Sequence, residues 1–211
     1  MTISEQTKIE LRELMARYPQ SRSALLPMLH LVQSVEGYVS QEGIEVCAVE
    51  VGLSTAEVSA VASFYTMFKR YPVGKHHIGV CTNSLCALLG GDNIWRTLSK
   101  ELDAGHDETT ADSMFTLERI ECQAACTHAP VMTVNWEFMD DMTEQKAAQV
   151  VSDLRAGKDL QATRGAKVRT FKDVQRTIAG FDDGLVDEPS IDASMLAGLN
   201  EFKNSTKGGK R

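Results

Sequence analysis

The amino-acid sequence predicts an α+β protein: an N-terminal helical bundle, then a small mixed sheet covered by helices, then an extended C-terminal tail. Three observations predict this class. Apolar residues recur at spacings of three and four in the first part, short β-branched runs follow Tyr71-Pro72, and periodicity fades beyond Lys158. The predicted boundaries are 1–72 for the bundle, 73–157 for the sheet domain and 158–211 for the tail.

Four helices are predicted in the bundle, each from a short amphipathic run with recognisable ends. Proline disfavours helical backbone at the residue before it, serine caps helix starts, and glycine closes helix ends. The signals are, in chain order, Tyr18-Pro19, Gly37, Ser40, Gly52, and a capping box formed by Ser54 and Glu57.

The next domain shows the element order β, α, β, β, α. Strands are predicted at 76–80, in "MFTLERIEC" and in "PVMTVN", with a further short strand or turn in "WEFMDD". One helix is predicted to end near Leu102, before a polar loop, and another to run from Thr143 to Gly157. A parallel pair with a crossover helix, followed by a hairpin and a packing helix, is a thioredoxin-like arrangement.

Several polar side chains of this domain are expected to have ordinary structural roles. His76 and His77 begin a strand and are expected at the surface, and Asp140 and Asp141 are expected to cap the helix at Thr143. The tail holds too many apolar residues for a free solvated segment. We therefore expect the tail to pack against another protein chain and to form a subunit-interface segment.

Composition limits the functional classes. A formal net charge of -7 argues against nucleic-acid binding, since a phosphate backbone is met by basic surface. No apolar run approaches the roughly 18 residues that span a bilayer, and the start has no secretory apolar region. We expect a cytoplasmic chain, in which cysteines stay reduced rather than forming disulfides.

Four of the five cysteines fall into two tight pairs, each directly after a predicted strand. Cys81 and Cys86 lie in "CTNSLCALLGG", and Cys122 and Cys126 lie in "ECQAACTHAPVM". Strand ends of a small sheet can bring such loops together, so that four thiolates converge. Cys47 stands alone among apolar residues and is expected to pack as a small hydrophobic side chain.

Four thiolates can hold structural zinc or an iron–sulfur cluster. Zinc knuckles favour pairs separated by two residues, whereas the pairs here are separated by four and three. A [2Fe–2S] cluster takes two thiolates on each iron, so each pair can serve one iron. The spacing favours [2Fe–2S], while zinc and transient disulfides remain as alternatives.

Four stretches occur together in one order: "ALLPMLHLVQSVEGYVS", "VASFYTMF", "VCTNSLCALLGG" and "ECQAACTHAPVMTVN". Over about residues 20–157 they resemble the thioredoxin-like [2Fe–2S] ferredoxin subunit, NuoE-type, of respiratory NADH:quinone oxidoreductase (complex I). Relatives of that subunit occur in NAD-linked hydrogenases and formate dehydrogenases. Family members often have a glycine within the second cysteine motif, where this chain has "QAA".

The resemblance implies one [2Fe–2S] cluster held by the residues that match the family's ligands: Cys81, Cys86, Cys122 and Cys126. It implies an electron-transfer subunit of an NADH dehydrogenase on the cytoplasmic side of the inner (plasma) membrane, with no catalytic residue of its own. FMN and NADH would bind the flavin-binding partner subunit, since this sequence has no nucleotide-binding fingerprint. The large iron–sulfur subunit is the second expected partner. A zinc-stapled interaction module and a hydrogenase or formate dehydrogenase subunit are the alternatives.

Overall fold

A computed structural model describes residues 3–165, 167–184 and 193–207. The first part of the chain is helical, as predicted. Its helices are α1 (Glu5–Ala16), a short 3₁₀ helix (Ser21–Ala24), α2 (Leu25–Glu36), α3 (Gln41–Val51) and α4 (Thr55–Phe64). No helix among the described residues is long and apolar enough to cross a membrane.

The ends of these helices are fixed by the capping residues that the sequence singled out. The Ser40 hydroxyl accepts a hydrogen bond from the backbone N–H of Gly43, and α3 closes at Gly52 in the left-handed region. Gly37 closes α2 in the same way. Both halves of the capping box at Ser54 and Glu57 are formed. These predictions are confirmed.

The sheet has five strands: β1 (His76–Cys81), β2 (Glu108–Thr109), β3 (Phe115–Ile120), β4 (Met132–Val134) and β5 (Glu137–Met139). Their spatial order is β2-β3-β1-β4-β5, with β1 and β3 parallel and the other neighbours antiparallel. The crossover from β1 to β3 contains α5 (Ser84–Leu88) and α6 (Gly91–Leu102), and α7 (Glu144–Arg155) follows the sheet. This confirms the predicted order, to which β2 adds a two-residue strand inside the expected polar loop.

Two apolar cores hold these elements. In the sheet domain, one face of β1 and β3 packs on α6 and α7, and residues such as Phe115, Leu117 and Leu98 have no exposed surface. In the bundle, Leu11, Met28 and their neighbours form a separate core. Cys47 lies in this second core, as predicted.

The segment after Lys158 differs in part from the expectation. Helix α8 (Phe171–Ile178) lies against α2 of the same chain, and Phe171 is buried, with its ring against those of His77 and Trp136. The Gln175 amide oxygen accepts a hydrogen bond from Gln33 and lies 2.7 Å from Nδ1 of His30. The apolar side chains of Val168, Phe171 and Phe181 thus pack on this chain itself.

Helix α9 (Ala193–Lys207) is the last described element of the tail, and apolar side chains on it are exposed: Leu196, Leu199 and Phe202. Leu185, which contributed to the expected apolar tail, lies outside the described residues, as does the side chain of Met195. An interface role for this last part of the tail stays a prediction.

A buried charge cluster joins the bundle to the sheet. The Lys69 ammonium lies 2.6 Å from Glu118 Oε2, and Nε2 of His77 lies 2.6 Å from the same oxygen. His77 also stacks on Trp136. The expectation that His76 and His77 lie at the surface is wrong, because both are buried by contacts from distant parts of the chain.

The two neighbouring acids before α7 also differ from expectation. Asp140 is buried and forms a bidentate ion pair with the guanidinium of Arg164, so it does not cap the helix. The hydroxyl of Thr143 performs that capping alone, accepting from the backbone N–H of Lys146. Asp141 is exposed, and its carbonyl oxygen accepts from the Lys146 ammonium.

The charge cluster predicts a pH dependence of stability. Burial alone would raise the pKa of Glu118, but His77 and the Lys69 ammonium outweigh it and lower that pKa to about 2. A lowered carboxyl pKa contributes stability above the unfolded-state pKa, and this is lost as pH falls. We expect the free energy of unfolding to lose roughly 2 kcal/mol through Glu118 between about pH 6 and pH 3.

Urea unfolding across that pH range, compared between the wild-type chain and Glu118→Gln, isolates this contribution. The difference between the two proteins should shrink as the pH falls. A difference that is constant with pH would contradict the assignment of the lowered pKa to Glu118.

Candidate metal centre

The two cysteine pairs follow the carboxyl ends of neighbouring parallel strands. Cys81 is the last residue of β1 and is paired with Ile120, the last residue of β3. Cys86 lies in α5, directly after the first strand. Cys122 follows β3 by two residues, and Cys126 begins a 3₁₀ helix (Cys126–His128). Parallel strands thus deliver both loops to the same edge of the sheet.

Contacts between the loops bring them face to face. The Asn83 side chain, between the first two cysteines, donates a hydrogen bond of 3.1 Å to the carbonyl oxygen of Ile120. The backbone N–H of Gln123, between the second two, acts on the Cys81 sulfur and lowers the pKa of that thiol. Cys81, Cys86 and Ala125 share one small apolar cluster. The sequence predicted that these loops meet, and the structure confirms that they do.

Hydrogen bonds at the first pair favour a thiolate at Cys81. Burial would raise the pKa of the Cys81 thiol, yet donors from Asn83, Cys86 and Gln123 together lower it below its ordinary value. Burial raises the pKa of Cys86 to about 11, and its interactions with Cys81 and Cys126 act in the same direction. N–H donors aimed at sulfur are one of the means by which a protein stabilises the negative charge of an iron–sulfur cluster.

The two pairs differ in exposure. Cys81 and Cys86 are buried, whereas Cys122 and Cys126 are exposed. Cys47 is also buried, in the separate core of the bundle, and burial raises its pKa to about 12. Among the described residues, no three His, Cys, Asp or Glu side chains form a group that could hold a single metal ion.

Gly91, the first residue of α6, lets the first cysteine loop close. A Cβ atom at this position would lie 2.5 Å from the carbonyl oxygen of Cys81 and 2.9 Å from that of Cys86. The backbone carbonyl groups of the predicted ligands Cys81 and Cys86 therefore approach Gly91 so closely that no side chain fits there. This role was missed from the sequence, although a glycine pair just after a cysteine motif is a signal of close backbone approach.

Residue Ala124, in the middle of the second loop, has a left-handed backbone with φ of 53°. Alanine adopts this region at a cost of roughly 1–2 kcal/mol, whereas glycine adopts it freely. The position lies within the "QAA" that stands where relatives of the resembled family often have glycine. The loop thus keeps the conformation that suits glycine while carrying an alanine.

Replacing Ala124 by glycine should therefore stabilise the protein, because the relief of backbone strain exceeds the added flexibility of the unfolded chain. We expect the free energy of unfolding to rise by about 0.5–1 kcal/mol in urea denaturation. The matched control is Ala60→Gly in α4, where the backbone is helical and glycine should destabilise by a similar amount. Equal losses for both variants would contradict the strained conformation.

The residues present fit a two-iron cluster in three respects. Two loops supply two sulfur donors each, N–H groups point at the Cys81 sulfur, and the backbone of Gly91 leaves space for the loop to fold. His128, which the sequence placed near this motif, lies 3.3 Å through its Nδ1 from Oδ2 of Asp141. The peptide bond between Ala129 and Pro130, two residues before β4, is cis.

The sheet topology and paired strand-end cysteine loops define a thioredoxin-like iron–sulfur protein. The model of the thioredoxin-like [2Fe–2S] ferredoxin family matches residues 11–155, and the chain belongs to this family.

Among curated proteins, the chain is 49% identical over 194 residues to an NADH-quinone oxidoreductase subunit of Mycobacterium bovis, covering 91% of this chain and 77% of that protein. It is 38% identical over 154 residues to an NADH-quinone oxidoreductase subunit of Thermus thermophilus, covering 72% of this chain and 85% of the relative.

A solved structure shares the fold. The chain superposes on an NAD⁺-reducing [NiFe]-hydrogenase in the air-oxidized state with a TM-score of 0.57, at 20% sequence identity. The match covers 63% of this chain and 23% of the hydrogenase chain. At this identity the similarity concerns the fold only.

Proposed function

We propose that this chain is the electron-transfer subunit of an NADH:quinone oxidoreductase and that it holds one [2Fe–2S] cluster through Cys81, Cys86, Cys122 and Cys126. The observation that carries the proposal is the meeting of the two cysteine loops at one sheet edge, in a chain 49% identical to a subunit of a complex with that name. When bound, such a cluster takes up and releases single electrons.

The residues around the site have definable parts in this function. The backbone N–H of Gln123 and the amide of Asn83 stabilise negative charge at the Cys81 sulfur. Burial of the first pair keeps water from one side of the site, and exposure of Cys122 and Cys126 leaves the other side open to a partner. Electrons would pass on this open side.

FMN and NADH belong, in this proposal, to a flavin-binding partner subunit, with the large iron–sulfur subunit as the second neighbour. The parent complex would lie at the cytoplasmic side of the inner (plasma) membrane. The names of the relatives support membership of such a complex.

The test uses the purified complex. We expect NADH to reduce it and produce the rhombic EPR spectrum of a reduced [2Fe–2S] cluster, which should be missing from a complex assembled with Cys122→Ala. Retention of every [2Fe–2S] signal in that variant complex would contradict the proposal.

The second candidate is the equivalent subunit of an NAD-linked hydrogenase or formate dehydrogenase. The fold similarity to an NAD⁺-reducing hydrogenase favours it. Co-purification of the chain with a nickel-containing or formate-oxidising subunit, instead of quinone-reducing activity, would select it. A colourless chain with stoichiometric zinc after anaerobic preparation would select the structural zinc module instead.

A further inference from the structure

A groove of about 370 Å³ lies between the sheet and the segment that links the bundle to it. One wall is the linker from Tyr65 to Val73, and the other is the face of β3 that carries Thr116 and Glu118. The volume falls within the range of about 300–1,000 Å³ typical of protein binding pockets. The groove lies outside the two cysteine loops.

Exposed aromatic side chains stand along the linker at this groove. Tyr65 and Tyr71 line it and are 44% and 78% exposed, and Phe64, in edge contact with Tyr65, is 78% exposed. Aromatic residues and arginine are enriched at protein–protein interfaces, where they form most binding hot spots. Because Phe64 lies outside the groove lining and Tyr71 is largely exposed, the surface suits a protein segment better than an enclosed small molecule.

The charges of the groove indicate the chemistry of its occupant. Lys69 is already neutralised by Glu118 and Asp107. Arg70 also lines the groove, but its buried Nε has no hydrogen-bond partner among the described residues. The Arg70 guanidinium forms no ion pair with any described residue, so a carboxylate entering the groove would form a charge-assisted bond with its terminal N–H groups.

The groove extends to the end of β3, where the second cysteine loop begins. Its lining includes Glu121, the residue immediately before Cys122, and the Thr66 hydroxyl donates to the Glu121 carboxylate at 3.4 Å. An occupant of the groove is thereby held next to the second, exposed cysteine pair. A partner that exchanges electrons there gains a fixed position relative to the sulfur ligands.

We propose that this groove, which we call the Arg70 groove, docks an acidic segment of the partner subunit that exchanges electrons with the chain. This rests on the proposed function. The segment places an aspartate or glutamate against Arg70 and apolar side chains against Tyr65 and Tyr71.

The test measures binding of the iron-loaded full-length chain to the purified flavin-binding subunit of the same complex. Arg70→Glu and Tyr71→Ala should each weaken binding by at least about 30-fold, as expected for hot-spot residues. Arg70→Lys should retain most of the affinity. Arg96→Glu is the matched control, because Arg96 is exposed on α6 and its described hydrogen bonds both lie within that helix; it should leave affinity unchanged.

The variants also separate this proposal from the proposed function. EPR of each isolated variant should keep the [2Fe–2S] signal, so that weak binding with an intact signal supports the groove alone. If the wild-type chain lacked the [2Fe–2S] EPR signal, that result would contradict the proposed function instead. Affinities within twofold of wild type for both Arg70→Glu and Tyr71→Ala would overturn the docking proposal. The docking proposal would also be overturned if the isolated chain bound pyrophosphate and Arg70→Ala abolished that binding. The groove would then be a site for a small anion.

Discussion

Replacing Gly91 by alanine should abolish cluster binding by this chain, although it alters no cysteine. The added methyl group would lie 2.5 Å from the carbonyl oxygen of Cys81 and 3.0 Å or less from the carbonyl group of Cys86. The clashing atoms belong to the backbone of Cys81 and Cys86 and cannot shift independently, so the whole first cysteine loop must move. We expect iron content and visible absorbance of the purified variant to fall at least about tenfold, since a misplacement of about 1 Å is severe at a preorganised site.

The control for this variant is Gly198→Ala, where no described atom lies within 4 Å of the added Cβ. It should retain full iron content. Circular dichroism of Gly91→Ala should show a folded protein, because the apolar cores of the bundle and the sheet lie elsewhere. Full iron content in a folded Gly91→Ala protein would show that the first loop does not need this close approach.

The second large effect concerns the buried charge cluster. Replacing Lys69 by methionine should lower the free energy of unfolding by roughly 3 kcal/mol at neutral pH, because it leaves a buried carboxylate without its ammonium partner. The side chains of Lys69 and Glu118 are only 10% and 9% exposed, so solvent cannot replace the lost charge. Urea denaturation at pH 7 measures this loss.

Two comparisons test the cause of this loss. Lys158→Met removes an exposed lysine that pairs with Asp153 at the surface, so little change is expected. Adding Glu118→Gln to Lys69→Met should restore much of the stability, because the neutral amide still hydrogen-bonds to His77 without a buried charge. A double variant as unstable as Lys69→Met alone would instead assign the loss to packing of the lysine side chain.

Local signals in the sequence predicted most of the fold because they depend on a few neighbouring residues. Ser40, Gly52 and the Ser54–Glu57 capping box act within one helical turn, and the structure forms each as predicted. The cysteine loops were also predictable, since each pair follows directly after a strand and parallel strands end at the same edge.

Long-range contacts are what the sequence left open. His77 is polar and begins a strand, so its burial depends on Glu118, a strand away, and on Trp136 beyond the second cysteine loop. The amide of Gln175 joins His30 and Gln33 from more than 140 positions away in the chain. A short helix such as α8 has no pattern that distinguishes packing on its own chain from packing on a partner.

The same division between local and long-range signals holds for the cysteine site. Residue type and spacing predicted Cys81, Cys86, Cys122 and Cys126 as ligands. They did not predict the N–H groups that act on the Cys81 sulfur or the strained backbone at Ala124. The backbone N–H of Gln123 reaches Cys81 only because β1 and β3 are neighbours in the sheet. The role of Gly91 depends likewise on where the carbonyl groups of Cys81 and Cys86 lie in three dimensions.

The most direct test is iron and acid-labile sulfide analysis, with EPR after reduction, on five single Cys→Ala variants of the anaerobically purified chain. The account predicts two irons and two sulfides per wild-type chain and for Cys47→Ala, whose thiol lies in the bundle core. It predicts loss of the native cluster when Cys81, Cys86, Cys122 or Cys126 is replaced. A native signal and full iron content in any of those four variants would contradict the assignment of the ligands.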